Sequence, residues 1–171
     1  TQHGSAGDYK ILGGGVEPGE KLEDALIREV GEESGLIVIP ESIRPIGEIV
    51  ERRRDLFEKN KIYVCHSCFF FCDAKAEMTQ THMTESEIAK GFHLEWATAQ
   101  EIIDGNEPFC ETQPWSFRDR EFVKMLVEKK ILTTNNLHRE EVCIYTPLLS
   151  CRKVENKIDI TESREGKLWM N

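Results

Sequence analysis

The stretch Gly14-Gly-Val-Glu-Pro-Gly-Glu-Lys-Leu-Glu-Asp-Ala-Leu-Ile-Arg-Glu-Val-Gly-Glu-Glu-Ser-Gly-Leu36 decides the fold of this chain. It predicts a helix over residues 20–34, because apolar side chains recur every four residues, at Leu22, Leu26 and Val30. Acidic residues lie in the first turns, where the helix dipole favours them, and Gly35 is a natural helix stop. We therefore expect a glycine-rich turn that leads directly into an amphipathic helix.

Three glutamates share one face of this predicted helix. Glu29, Glu32 and Glu33 stand at positions i, i+3 and i+4, where Cβ atoms are roughly 5–6 Å apart. Like charges at this spacing destabilise a helix, so a cation should offset the repulsion, and Mg²⁺ prefers oxygen ligands of this kind. A solvated glutamate face is the alternative for an isolated Glu-x-x-Glu-Glu. The preceding Arg28 and the flanking glycines favour the metal site.

The charge of the chain is unevenly distributed. Its 171 residues include 31 acids and 22 bases, and 22 − 31 gives a net charge of −9. Residues 14–36 alone contribute −5, from seven acids and two bases. The acid excess argues against docking of nucleic acid through a basic surface and against binding to anionic membranes. No apolar run approaches a membrane span and residues 1–8 show no signal-peptide pattern, which predicts a cytoplasmic protein.

At every defined position the stretch resembles the Nudix box. That pattern is a glycine, five residues, a glutamate, seven residues, and then Arg-Glu-aliphatic-x-Glu-Glu-x-Gly-aliphatic. It is met here by Gly14, Glu20, Arg28, Glu29, Val30, Glu32, Glu33, Gly35 and Leu36. The match covers 23 of the 171 residues, and the order of predicted strands and helices to about residue 132 is also similar. The resemblance implies an α/β fold, with an α/β/α sandwich around a mixed β-sheet.

The resemblance also implies roles for individual residues. Mg²⁺ or Mn²⁺ would be held by Glu29, Glu32 and Glu33, and Arg28 would orient a box glutamate through a charge-assisted pair. Either Glu29 or Glu33 would deprotonate or position the attacking water. The loop and helix would take their shape from Gly14, Glu20 and Gly35.

A further metal-binding carboxylate is implied well downstream of the box. The candidates are Glu85, Glu87 and Glu95, with a plain surface acid as the alternative for each. We favour Glu87 because it precedes the next predicted strand at a suitable distance.

Nudix enzymes hydrolyse a nucleoside diphosphate linked to another group, with a divalent metal ion. The expected function is therefore a metal-dependent pyrophosphohydrolase whose partner is a small nucleotide diphosphate. The alternative is a non-catalytic nucleotide-binding or regulatory protein, although damaged boxes usually accompany that role and this box is intact. A Nudix-fold isomerase has no distinct motif here. The sequence leaves open whether the protein forms a homodimer.

The substrate-binding residues stay unknown from the sequence. Residues 52–61 form a predicted charged hairpin loop, whose bases could meet a polyphosphate, although a solvated loop is favoured. Three aromatic residues could stack on a base, with core packing as the default: Tyr63, Phe109 and Trp115. Residues 112–117 partly resemble a signature of Nudix enzymes that act on dinucleotides, but they lie too far from the box.

Residues 1–132 are expected to form the Nudix domain, which is short on its N-terminal side, and 133–171 a C-terminal extension. Either chain precedes residue 1, or residues 137–171 supply the missing strands, with Val142–Leu149 beside a strand at 9–12. The extension is otherwise an accessory segment. Further predicted elements are strands at 36–39, 43–51, 62–74 and 92–97, helices at 99–103 and 118–130, an irregular segment at 78–90, and a polar break at 133–136.

Three of the six cysteines lie in the predicted strand 62–74, at Cys65, Cys68 and Cys72. Side chains on a strand alternate between faces, so Cys65 and Cys68 would point to opposite sides. A zinc knuckle also needs a second ligand pair, and the sequence contains no second Cys-x-x-Cys. We therefore expect small buried thiols in a reducing compartment.

Overall fold

A computed structural model describes residues 1–132 together with the backbone of three later strands. The helices in this part of the chain are α1 (Leu22–Ser34), α2 (Glu85–Ala89), α3 (Ala99–Asn106) and α4 (Pro114–Glu128). The strands are β1 (Gln2–His3), β2 (Tyr9–Lys10), β3 (Leu36–Val38), β4 (Arg44–Arg54), β5 (Lys61–Met78), β6 (His93–Leu94), β7 (Val142–Tyr145), β8 (Leu148–Glu155) and β9 (Lys167–Met170).

Strand β5 is the organising element of the larger sheet. Strand β4 pairs with it antiparallel, from Arg44 opposite Phe71 to Arg54 opposite Ile62. The prediction of a loop at 52–54 is therefore wrong, because the ladder continues through these arginines and the turn is confined to residues 55–60. Strand β3 pairs antiparallel with the end of β5. A smaller sheet has the order β2-β1-β6.

Helices cover both faces of β5, which confirms the α/β fold class. Phe69 and Phe70 are consecutive strand residues and so point to opposite faces. The ring of Phe69 stacks on Phe122 of α4 with centroids 3.6 Å apart, in a core that also contains residues of α3. Phe70 lies in a second core with Leu26 and Val30 of α1. The hydrophobic core therefore has two layers, one on each face of β5, and each layer contains one of the two phenylalanine rings.

Helix α1 ends where the sequence predicts. Gly35 adopts a left-handed conformation with φ 74° and its N–H donates to the carbonyl of Gly31. A Cβ at this position would lie 2.3 Å from the carbonyl oxygen of Thr79. The Thr79 N–H in turn donates to the carbonyl of Gly35 at 2.7 Å. Glycine is therefore required both for the helix end and for the close passage of residue 79.

The predicted irregular segment 78–90 contains a short helix. Thr84 caps α2 through a reciprocal capping box with Glu87. The spacing Thr-x-x-Glu is a known signal for a helix start, and it occurs again at Thr98, which caps α3. Helix α4 begins at residue 114 rather than 118, because Pro114 suits the first turn of a helix.

The described strands of the C-terminal segment join the larger sheet. Strands β7 and β8 pair antiparallel with β5, and β9 pairs with β4. The predicted placement of Val142–Leu149 beside a strand at 9–12 is wrong, since β5 presents a long free edge to these residues. The predicted polar break at 133–136 lies outside the described residues. The division of the chain at residue 132 stays a prediction.

One of the cysteines in β5 is not the free thiol that the sequence predicts. Cys65 is disulfide-bonded, which corrects the prediction of a free thiol, and the strand register places Cys151 opposite it. Within residues 1–132, free thiols are found at Cys68 and Cys110. Burial raises the pKa of the Cys68 thiol to about 11. Among the described residues, no helix has the length and apolar character needed to cross a membrane.

Candidate active site

Arg28 ties the turn before α1 to the helix. Its Nε donates to Glu20 Oε1 at 2.9 Å and one terminal nitrogen donates to Glu20 Oε2 at 3.0 Å, in a bidentate pair. The same nitrogen donates to the Gly15 carbonyl at 3.0 Å. These hydrogen bonds from Arg28, with a backbone bond from Glu17, lower the pKa of Glu20 to about 2. The loop geometry thus depends on an ionised Glu20.

The second terminal nitrogen of Arg28 reaches two glutamates of the cluster. It lies 2.7 Å from Glu29 Oε1 and 3.4 Å from Glu32 Oε2. Burial raises the pKa of Glu29 even though Arg28 opposes the shift. A Cβ at Gly14 would lie 2.3–2.4 Å from the Glu29 carboxylate. Glycine lets the turn pass this close to the carboxylate without a shift of the Glu29 side chain.

Glu33 is the most buried glutamate of the cluster, with its side chain 4% exposed. Its Oε1 accepts from Lys10 Nζ at 2.6 Å and its Oε2 from the Gly13 N–H at 2.7 Å. Burial raises the pKa of Glu33 to about 7, although Lys10 and Gly13 oppose the shift. Glu33 therefore titrates near neutral pH, unlike an ordinary glutamate.

Lys10 also contacts the candidate downstream ligand. Its Nζ lies 3.2 Å from Glu87 Oε1. Partial burial disfavours the ionised form of Glu87, but hydrogen bonds from Thr84 and the charge of Lys10 outweigh it and lower the pKa of Glu87 to about 2. One ammonium group thus joins Glu33 of α1 to Glu87 of α2.

The structure groups the predicted ligands in two pairs. Glu29 and Glu32 meet at Arg28, whereas Glu33 and Glu87 meet at Lys10. Within residues 1–132, one group of three potential metal-binding side chains has ligand atoms within 4.8 Å of one another, and it consists of His3, His93 and Glu95. The glutamates of the box do not form such a group in the described arrangement. Glu85 is exposed. Of the downstream candidates, Glu87 shares Lys10 with Glu33, whereas Glu95 pairs with His3 and His93.

The predicted ligands fit a hard divalent cation by their chemistry. All four are carboxylates, and Mg²⁺ and Mn²⁺ favour oxygen ligands. The Glu32 side chain is 44% exposed and so is free to turn toward an ion. In the described arrangement Arg28 and Lys10 supply the positive charge that neutralises the glutamates. An ion at this site would take over part of that role.

A cavity of about 300 Å³ lies next to Lys10, Gly13 and Glu87. The Arg53 guanidinium stacks over the ring of Tyr63, 4.2 Å from its centroid, and Lys90 Nζ lies 5.5 Å from the centroid of Trp115. The remaining lining residues are Glu51, Thr84, Ser86, Phe92, Pro114 and Arg118. The cavity combines aromatic rings with cations, which suits an aromatic, anionic ligand.

The sequence alone did not identify several of these residues. Lys10 has no motif of its own. The sequence favours a solvated loop for Arg53, with contact to a polyphosphate as the alternative, but Arg53 lies in β4 directly opposite Tyr63, on the face that lines the cavity. The alternation of side chains along β4 is the signal that could have revealed this face. Trp115 and Tyr63 line the cavity, whereas Phe109 is not among its lining residues.

Comparison with known families decides the identity of this fold. The model of the NUDIX domain family matches residues 1–126, which is most of the chain. The chain belongs to the Nudix family. The Nudix box of this chain therefore consists of the glycine-rich loop, helix α1 and the ion pairs around Arg28.

Relatives of this Nudix domain share parts of its sequence. Nucleoside triphosphatase NudI of Escherichia fergusonii is 38% identical over 76 residues, which are 43% of this chain and 54% of the relative. The NudI protein of Escherichia coli is 36% identical over 75 residues, or 42% and 53% of the two chains. That of Salmonella schwarzengrund is 54% identical over 39 residues, or 23% and 28%. The chain spans about half the length of the first two relatives. No solved structure matches it.

Proposed function

We propose that this Nudix domain is a metal-dependent pyrophosphohydrolase that cleaves the diphosphate linkage of a nucleoside diphosphate joined to another group. The observation that carries the proposal is the contact of Lys10 with Glu33 and Glu87, beside an aromatic and cationic cavity that Lys10 and Glu87 line. A complete Nudix box beside a cavity of this composition favours an enzyme over a passive scaffold.

The metal would be Mg²⁺ or Mn²⁺, held by the four glutamates Glu29, Glu32, Glu33 and Glu87. When bound, such an ion neutralises charge on a diphosphate and lowers the pKa of water. Arg28 would keep Glu29 and Glu32 oriented through its fork of N–H donors. Glu29 and Glu33 are both candidates for the group that accepts a proton from water, since burial raises the pKa of each.

The nucleoside end of the substrate would occupy the cavity. Trp115 and the stacked pair of Arg53 and Tyr63 offer faces for a base, and stacking on an aromatic side chain is worth about 1–3 kcal/mol. Lys10 and Lys90 would face the phosphates. This orientation directs the diphosphate toward the glutamates.

Nucleoside triphosphates are the first substrates to test. The relatives from Escherichia and Salmonella are named nucleoside triphosphatases, and a triphosphate is a nucleoside diphosphate linked to phosphate. The acid excess of the chain favours free nucleotides over nucleic acid. A cytoplasmic location, where nucleotides are available, and a homodimeric assembly belong to the same proposal, to be checked by cell fractionation and light scattering.

The test is a hydrolysis assay of the purified protein with Mg²⁺ or Mn²⁺ on triphosphates and nucleotide-linked diphosphates, with product identification by chromatography. We expect a nucleoside monophosphate among the products and no turnover in EDTA. Absence of turnover on the whole panel would contradict the hydrolase. Nucleotide binding in EDTA without turnover on metal addition would favour the alternative, a regulatory nucleotide-binding protein. Products with an intact diphosphate would favour an isomerase.

A further inference from the structure

We propose that His3, His93 and Glu95 form a binding site for a transition-metal ion such as Zn²⁺, separate from the Nudix box. One ligand atom from each of the three lies within 4.8 Å of the others. Two imidazoles and one carboxylate are a ligand set that suits Zn²⁺ and related ions, whereas Mg²⁺ prefers an all-oxygen shell. The site does not depend on the proposed hydrolase activity.

The backbone of the small sheet brings the three side chains to one face. His3 of β1 lies directly opposite His93 of β6 in the antiparallel register. Glu95 follows two residues after His93 and therefore points to the same side. The Glu95 N–H donates to the Thr1 carbonyl at 2.9 Å, so the pairing of the two segments extends to the position of the carboxylate.

The imidazole of His93 is oriented for metal binding. Its Nδ1 lies 3.3 Å from the Gly91 carbonyl oxygen, which can only accept a hydrogen bond, and its Nε2 lies 3.4 Å from Glu95 Oε2. A metal ion on Nε2 would require the tautomer with its proton on Nδ1, and the Gly91 carbonyl is placed to accept that proton. A backbone acceptor on the second ring nitrogen is also the usual outer contact of a metal-bound histidine.

The other two ligands are held in place by Tyr9. The ring of His3 stacks on Tyr9 with centroids 4.3 Å apart and planes within 4°. The Tyr9 hydroxyl lies 3.3 Å from Glu95 Oε1, which leaves Oε2 directed at both histidines. His3 Nδ1 lies 2.6 Å from that oxygen. Metal binding would replace the proton shared by His3 and Glu95, and the two atoms would separate to about 3.3 Å, the edge of a tetrahedron with zinc-ligand bonds.

The site would brace two segments that reach the Nudix box. Next to His3, the Gln2 amide lies 3.4 Å from the Glu33 carbonyl. Strand β6 follows α2, the helix that carries Glu87. An ion shared by β1 and β6 would therefore tie the chain near Glu33 to the chain near Glu87. The side chain of His93 is 60% exposed, which leaves room for water on the ion.

The test is a Zn²⁺ titration of the purified chain by calorimetry, with excess Mg²⁺ present to occupy carboxylate sites. We expect one tight Zn²⁺ ion per chain. His93→Gln removes one ligand from an exposed position, so it should leave the fold intact and weaken Zn²⁺ binding by more than about 100-fold, beyond the loss typical of an outer contact. His82→Gln changes another exposed histidine outside the cluster and should leave the affinity unchanged.

Glu32→Gln separates this site from the box, because it alters a proposed Mg²⁺ ligand and should retain the tight Zn²⁺ ion. In a histidine-detected nitrogen NMR spectrum, the ring signals of His3 and His93 should shift together on Zn²⁺ addition, while that of His82 stays in place. The proposal is overturned if the wild-type chain shows no tight Zn²⁺ binding, if binding survives His93→Gln, or if it is lost in Glu32→Gln.

Discussion

Lys10 Nζ lies 2.6 Å from Glu33 Oε1, so a residue of the short strand β2 neutralises the most buried carboxylate of the Nudix helix. The two residues come from separate elements, and in the described part of the chain neither of them forms another ion pair as short. Removing the ammonium would leave a buried carboxylate with the Gly13 N–H as its one close donor among residues 1–132. The ion pair of Lys10 and Glu33 therefore stabilises the fold and also holds one of the proposed metal ligands in place.

The substitution Lys10→Met should lower the free energy of unfolding by about 2–3 kcal/mol at pH 8 in EDTA, since breaking a largely buried ion pair leaves Glu33 either with an uncompensated charge or with a proton that it must take up. Urea denaturation measures it. Lys124→Met is the matched control, because Lys124 is 41% exposed and forms a surface pair with Glu121 at 3.6 Å. Its expected effect is below about 1 kcal/mol. Equal effects of the two substitutions would contradict the coupling.

The substitution Glu32→Gln should lower kcat by about 100-fold or more while the fold is retained. Glu32 is a proposed metal ligand, and loss of even an outer contact of a metal site commonly costs 10- to 100-fold in activity. The side chain is 44% exposed, so little packing is lost. Turnover and circular dichroism measure the two effects. Glu23→Gln, on an exposed first-turn position of the same helix, should keep full activity.

The pH dependence of stability should report on Glu20. Its pKa in the folded protein is about 2, below the ordinary value of 4.5, so its contribution is complete above about pH 4.5 and is lost as the pH falls toward 2. The variant Glu20→Gln should lose this part of the pH dependence. Chemical denaturation between pH 2 and 7 measures it, and the exposed Glu17→Gln should behave like the wild type. Parallel curves for wild type and Glu20→Gln would refute the role of the Arg28 pair.

The substitution Gly35→Ala should destabilise the protein by at least about 2 kcal/mol. The left-handed φ of 74° is strained for alanine, and its Cβ would collide with the Thr79 carbonyl. Gly19→Ala is a matched control, because Gly19 has a similar φ of 84° but open space around its Cβ position. We expect a loss of about 1 kcal/mol for the control. Thermal unfolding of both variants measures the two losses of stability, and their difference is the contribution of the collision with Thr79 beyond the backbone strain.

The substitution Trp115→Ala should raise KM for a nucleotide substrate by about 5- to 150-fold, which corresponds to the 1–3 kcal/mol of one stacking contact. Steady-state kinetics with the best substrate of the panel measures it. Trp96→Ala is the control, because Trp96 is 43% exposed and does not line the cavity. A similar rise in KM for both variants would argue against a base over Trp115.

The local structure around the Nudix box could be predicted from sequence because its contacts are local. The apolar repeat of Leu22, Leu26 and Val30 needs only helical geometry, and the stop at Gly35 needs only a residue that tolerates positive φ. The capping pairs at Thr84 and Thr98 depend on equally local contacts, although the polar composition around Thr84 favours an irregular segment.

The strand limits could not be predicted as well. Arg52, Arg53 and Arg54 look like loop residues by composition, yet each has a partner on β5. Cross-strand pairing outweighs the preference of charged residues for loops, and the sequence does not show which residues will face each other. The bonded Cys65 is a similar case, because the register with β8 lies far along the chain.

The amino-acid sequence is enough to identify the family, the Nudix helix and its glutamates, because the motif has a fixed spacing along one helix and needs no contact with distant parts of the chain. Folding in three dimensions is what joins Glu33 to Glu87 through Lys10, lines one cavity with Arg53, Tyr63 and Trp115, and brings His3, His93 and Glu95 together. These groups come from segments far apart in the chain. Their distances are set by sheet register and by the packing of helices on both faces of β5.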